Sequence, residues 1–200
     1  MIIKKRFNLR VLYRILTVIL SIYWGVFGFG LASNCLSRVY LYPIKYKEHV
    51  LKNAQVYGLD STLIFSIIHV ESRFDKDALS SAGAIGLMQI TSETGNYIAK
   101  MQGIDNYNLT EPQTNIAFGC YYLKYLLLKF EVLNTALCAY NAGEGNVSAW
   151  LNVSKYSTDK KTLNFIPFPE TREYINKIQK TFTKYKKLYG NILDKNKIFE

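Results

Sequence analysis

The stretch IFSIIHVESRF, residues 64 to 74, constrains the fold more than any other. Ile64, Ile67, Ile68 and Glu71 fall at the i, i+3, i+4 and i+7 positions of a helix, so one face carries three branched apolar side chains and then a carboxyl. Other elements must cover such a face, so the segment predicts a buried helix in a helical core. The acid at its end has two readings. A carboxylate turned into solvent, or paired with Arg73 or a lysine, is the ordinary surface state of a glutamate. A carboxyl kept on the apolar face resists ionisation instead, because desolvation penalises the charged form, and it is then a usable general acid near neutral pH.

The same periodicity recurs along the chain. Tyr46, Val50, Ala54 and Tyr57 space a helix over residues 44–57 that Gly58 ends, and Asp60 or Ser61 caps the next one. LSSAGAIGLMQITSETG, residues 79–95, is rich in glycine and small side chains and predicts a loop with helical entry near its end. Thr110 to Gln113 (TEPQ) reads as a capping box with proline in the first turn, opening an apolar helix to about Phe130. A helix over 134–141 is broken by Gly143-Glu144-Gly145 and resumes from Asn146 to Leu151. Tyr174, Ile178, Phe182, Tyr185 and Leu188 space a last helix up to Gly190. With no alternating strand and no internal repeat, residues 44–190 read as one mainly α domain with a tail over 191–200.

Ahead of this domain lies a different kind of sequence. Residues 1–10 are basic, and the segment from Ile15 to Ala32 carries no charge at all. A helix of that length spans a bilayer with its basic flank in the cytoplasm, so residues 11–32 read as a single transmembrane signal anchor and 33–43 as a linker. A cleaved signal peptide and, from LASNC before Cys35, a lipoprotein site are the competing readings. In each case the domain faces outward. Of the net charge of +10, half sits on Lys4, Lys5, Arg6, Arg10 and Arg14. The remainder suits an anionic surface or polymer, but no basic cluster interleaved with aromatics forms a nucleic-acid motif, so nucleic acid is not an expected partner. Cys35, Cys120 and Cys138 have no metal-ligand spacing, and Cys120 and Cys138 sit in apolar helical runs as buried free thiols.

Four blocks in order, VESRF, SSAGAIGLMQIT, AYNAGEGNV and PETREYI, resemble the signature of the soluble lytic transglycosylase family, within the goose-type lysozyme-like group. The resemblance covers residues 46 to about 189, and the apolar run with YPIKYKEHV is similar to small membrane-anchored bacterial members. It implies a lysozyme-like helical domain, no metal or organic cofactor, and peptidoglycan glycan strands as substrate. The implied reaction cuts the β-1,4 bond between N-acetylmuramic acid and N-acetylglucosamine without water and leaves a 1,6-anhydro end. Glu71 occupies the position of the one glutamate that acts first as acid and then as base. Ser80, Met88, Gln89, Tyr140, Asn141 and Tyr174 match positions along the substrate groove. Four of them also have a bland role: Ser80 in turn chemistry, Met88 and Tyr140 in the core, Asn141 at a helix end. Asp75, Asp77 and Glu93, the acids nearest Glu71 in sequence, match no catalytic position and read as surface or capping groups. His69 reads as structural. Thr91-Ser92 stands where many members have proline, which bears on the rigidity of the loop. Two other readings stay open: a hydrolytic muramidase of the same fold, and a catalytically silent glycan-binding module.

Overall fold

The structure, a computed structural model, describes the backbone of residues 9–195. Lys4, Lys5 and Arg6 of the basic segment and residues 196–200 of the tail lie outside it, as do the side chains of Arg10, Arg14, Leu31, Ala32 and Cys35. The chain divides into two compact units, one ending at Pro43 and the other beginning at Ile44.

In the first unit α1 (Leu9–Leu36) runs for 28 residues and passes into a π-helical turn, Ser37–Leu41. Its described apolar side chains, Ile15 to Phe29, are largely exposed, and Tyr23, Trp24 and Phe27 pack on one another along one side. Among the described residues no helix is long and apolar enough to cross a membrane. The expected span from Ile15 to Ala32 ends on side chains outside that set.

The second unit holds seven helices among the described residues: α2 (Lys47–Tyr57), α3 (Ser61–Ser72), α4 (Ser92–Gln102), α5 (Pro112–Phe130), α6 (Leu133–Ala142), α7 (Glu144–Leu151) and α8 (Pro169–Lys195). Their ends follow local chemistry. Gly58 takes the left-handed conformation that closes α2, and its N–H bonds back to Ala54 and Gln55. Asp60 caps α3 by accepting from the Thr62 N–H at 2.8 Å. The capping box at Thr110 does not form. The helix begins one residue later, with Glu111 at the cap position and no side-chain bond to it, because Pro112 takes N1 while Thr110 turns back to Asn108. Nor does α8 stop at Gly190, since Leu188, Tyr189 and Leu193 carry its buried face onward to Lys195.

The isoleucine face is buried as the spacing predicts: Ile64, Ile67 and Ile68 are 0 % exposed. Helix α3 packs chiefly against α8, where Phe65 stacks on Tyr185 with ring centroids 5.9 Å apart. His69 has the structural place expected of it, with Nδ1 at 3.3 Å from the Tyr185 hydroxyl, and burial followed by the nearby Arg73 charge lowers its pKa. Helix α5 packs on α2 and α6, and α6 packs on α7 and α8. Cys120 and Cys138 are free and buried, and desolvation pushes both thiols far above their ordinary range. The loop between α3 and α4 has only isolated bridges, Leu79 to Ile85 and Ile85 to Ile90.

Candidate active site

Glu71 sits in the last turn of α3, one residue before the helix ends. Its neighbour Ser72 fixes that end: Ser72 Oγ lies 2.9 Å from the carbonyl of Leu87 and 3.2 Å from that of Ile68, joining helix to loop. Arg73 and Phe74 then both take left-handed backbone conformations, turning the chain sharply away. Glu71 keeps some access to solvent yet is closely surrounded by protein. Desolvation raises its carboxyl pKa from 4.5 to about 7, while the Tyr174 hydroxyl opposes the rise. That hydroxyl is itself buried and forms no hydrogen bond of good geometry. It therefore meets Glu71 as a loose contact, short of a formed bond.

The loop over residues 79–91 forms the neighbouring wall, and a residue absent from the sequence reading holds it together. Asn115, in the first turn of α5 and 1 % exposed, accepts from the Met88 N–H at 2.7 Å and donates to the carbonyls of Ile85 and Leu109, each at 2.8 Å. A single buried amide thus satisfies three backbone groups of two loops. Gly86 is required beneath it, because a Cβ there would stand 2.5 Å from Asn115 Nδ2 and 2.8 Å from the Leu109 carbonyl. Gly119 has a matching role, since a Cβ at that position would collide with the Met88 side chain.

The expected groove residues fall into different places. The Met88 side chain is 0 % exposed, lodged in the notch at Gly119, so it supports the wall from behind and offers substrate no apolar surface. Its carbonyl accepts from the Tyr140 hydroxyl at 2.8 Å. Gln89 adopts a left-handed conformation, and its Nε2 donates to Gly86 at 2.9 Å and Ala78 at 3.2 Å, so the amide nitrogen is used within the loop. Ser80 Oγ accepts from the Ala84 N–H at 3.0 Å, which is turn chemistry. Asn141 Oδ1 accepts from Thr171 Oγ1 at 2.8 Å, tying the end of α6 to the start of α8 one turn before Tyr174. Burial first, and then the Glu71 charge, raises the pKa of both the Tyr140 and the Tyr174 hydroxyl well above the ordinary range. Both hydroxyls stay neutral in the field of the acid.

A cleft of about 490 Å³ opens on this side, lined by Gln89, Tyr140, Asn141 and Gly143 together with residues that sequence reasoning did not select: Thr91, Glu93, Tyr97, Tyr122 and Glu144. Glu71 does not itself line the cleft, but its charge acts on Tyr140, which does. Glu93, read from sequence as a surface or capping group, borders the cleft. Glu144 lies within the AYNAGEGNV block, where the sequence marked it only as part of a helix break. Its carboxylate accepts from Lys129 Nζ at 2.7 Å and from the Tyr125 hydroxyl at 2.9 Å. Tyr122, stacked near Tyr125 and Tyr140, is pushed up to about 12 by burial and then by Glu144. Among the described residues no group of three or more His, Cys, Asp or Glu side chains forms a metal site.

Fold and site together define a helical domain with a polar, tyrosine-lined cleft and, next to a residue that lines it, one carboxyl whose pKa burial raises to about 7. The transglycosylase SLT domain family matches residues 48–164, and the chain belongs to that family. The soluble lytic murein transglycosylase of Salmonella typhimurium is 34 % identical over 143 residues, covering 68 % of this chain and 22 % of that protein. The membrane-bound lytic murein transglycosylase C of Haemophilus ducreyi is 34 % identical over 168 residues, 70 % of this chain and 45 % of that one. Among solved structures, an inactive Glu-to-Gln mutant of the lytic transglycosylase Slt from Pseudomonas aeruginosa superposes with a TM-score of 0.64 at 33 % identity, over 73 % of this chain and 24 % of that one. The 70 kDa soluble lytic transglycosylase of Escherichia coli gives 0.65 at 30 %, over 74 % and 25 %. The domain thus has the mainly helical, lysozyme-like fold of these enzymes, and the chain spans less than half the length of each relative.

Proposed function

We propose that the protein is a peptidoglycan lytic transglycosylase that cleaves the β-1,4 bond between N-acetylmuramic acid and N-acetylglucosamine, with Glu71 as its one acid and base. The observation that carries this reading is the carboxyl at the end of the isoleucine face, raised to about 7 by burial beside Tyr140 and Tyr174. Protonated Glu71 gives its proton to the glycosidic oxygen as the bond from the muramic acid C1 breaks and the N-acetylglucosamine hydroxyl departs. The carboxylate then takes the proton of the C6 hydroxyl as that oxygen closes on C1. A 1,6-anhydro ring forms, Glu71 regains its proton, and no water is consumed. Neutral Tyr174 and Tyr140 steady the acid and the charge that develops near it.

In the same reading, Gln89, Asn141 and Ser80 offer polar contacts to sugar amides and hydroxyls, while Met88 holds the wall on which Gln89 stands. The names of the relatives and the inactivity of a Glu-to-Gln mutant of the Pseudomonas enzyme support it. Residues 44–190 would form the catalytic domain on the outer side of a bacterial membrane, held by α1 as a single-pass anchor. The 28-residue helix, the uncharged stretch within it and the basic residues before it support that placement. Incubating the chain with purified peptidoglycan and weighing the released muropeptides tests the reaction. Anhydro ends are expected; reducing ends would mean a hydrolytic muramidase, and no release a glycan-binding module.

A further inference from the structure

Next to the cleft is a second cavity of about 380 Å³, bordered by Lys129, Glu131, Ser148, Asn152, Lys160 and Lys161. The two cavities share a wall. Lys129 borders the second, and its ammonium holds Glu144, which borders the first, at 2.7 Å. Two of the three lysines already have carboxylates, Lys129 with Glu144 and Lys161 with Glu131 at 2.6 Å. Lys160 makes no ion pair among the described residues.

The backbone makes the placement of Lys160 notable. Its φ is +58°, in the left-handed region that costs a side-chain-bearing residue and suits glycine. The turn around it is tightly built. Asp159 Oδ1 accepts from the N–H groups of Lys161 at 2.8 Å and Thr162 at 2.6 Å, and Thr135 Oγ1 donates to the Lys161 carbonyl at 2.8 Å. Glu131, across the same cavity, also has φ +58°. Of the other non-glycine residues with positive φ, Tyr46, Arg73 and Glu131 sit at helix ends, where this conformation is ordinary, whereas Lys160 caps no described helix. A turn position that glycine would serve better is instead held by an exposed lysine with no ion pair among the described residues, bordering a cavity that adjoins the cleft.

We propose that this cavity binds a carboxylate of the stem peptide carried by a glycan strand lying in the cleft, with Lys160 as the principal cation and Lys161 able to leave Glu131 to join it. The inference rests on the proposed substrate. A peptide of a few residues, reaching about 3.3 Å per residue from the muramic acid, can cross a shared wall, and its free carboxylates are the anions brought by the strand itself. Phosphate of a wall polymer has similar chemistry, and the test separates the two.

The full chain carrying Glu71→Gln is titrated calorimetrically with soluble glycan fragments bearing free-acid stem peptides, the same fragments with every peptide carboxylate amidated, and fragments stripped of peptide. Free-acid fragments should bind about fivefold tighter than amidated ones, the size of a part-exposed ion pair, with the preference fading at high salt. Adding Lys160→Gly should erase the preference and raise the melting temperature, because it removes the charge and the backbone strain together. A purely structural lysine would not give that combination. Equal binding of free-acid and amidated fragments, a preference that survives Lys160→Gly, binding of none of the fragments, or a preference shown only towards glycans bearing phosphate would each overturn the inference. Since binding is read without cleavage, a chain with the preference that releases no anhydro products would sink the proposed reaction and leave this site standing.

Discussion

Glu71 at the end of α3 and Glu144 at the start of α7 are the same residue type in the same domain, and their carboxyls depart from ordinary behaviour in opposite directions. Burial is the largest influence on each. At Glu71 it prevails, because among the described residues it is opposed only by the loosely placed Tyr174 hydroxyl, and the pKa rises to about 7. At Glu144 burial is outweighed by bonds from Lys129 and Tyr125, and the pKa falls. The difference teaches that a general acid is made by withholding partners as much as by burying the group. A carboxyl given a cation has its ionised form favoured instead.

The largest effect expected of this contrast is on turnover. Glu71→Gln should reduce muropeptide release by roughly a thousandfold, whereas Glu144→Gln should change it by no more than about threefold. Equal losses from the two would break the comparison. Stability should respond with opposite signs. A carboxyl raised in the folded state gives its full stability below the ordinary value of 4.5 and loses it as pH rises through about 7. Glu71→Gln should therefore match the parent near pH 4 and exceed it by roughly 2 to 3 kcal/mol at pH 8, read from denaturant midpoints. A smaller effect concerns the hydroxyl that opposes the rise. Tyr174→Phe should move the alkaline limb of the activity profile upward by a fraction of a pH unit while lowering the maximum rate about tenfold. An unmoved limb would show that Tyr174 does not act on Glu71. The least effect belongs to Glu144→Gln, expected to destabilise by under about 1 kcal/mol at neutral pH. Because the Glu144 pKa is lowered in the fold, this difference should vanish as pH falls.

How much of this the sequence disclosed depended on the range of the interaction. Gly58, Asp60 and the isoleucine spacing act within one or two turns, so the ends of α2 and α3 and the burial behind Glu71 were readable. Spacing likewise placed Cys120 and Cys138 in the interior. The capping box failed at short range too, because a proline at N1 shifted the helix start by one residue. Asn115 was invisible, since its partners Ile85, Met88 and Leu109 belong to loops whose approach no periodicity announces. Glu144 was hidden in the same way: Tyr125 and Lys129 meet it only after α5 and α7 pack on α6. Met88 shows the limit of reading a groove from a motif, for the motif located the wall without revealing which side of it the thioether occupies.

The amide of Asn115 has a mechanical consequence. It clamps the loop over residues 79–91 to α5 by a bond to Met88 and another to Ile85, while Ser72 clamps the same loop to α3. Any outward swing of this wall has to break several hydrogen bonds at once. The wall is an anvil, so whatever enters the cleft meets residues 79–91 as a fixed surface and has to conform to it.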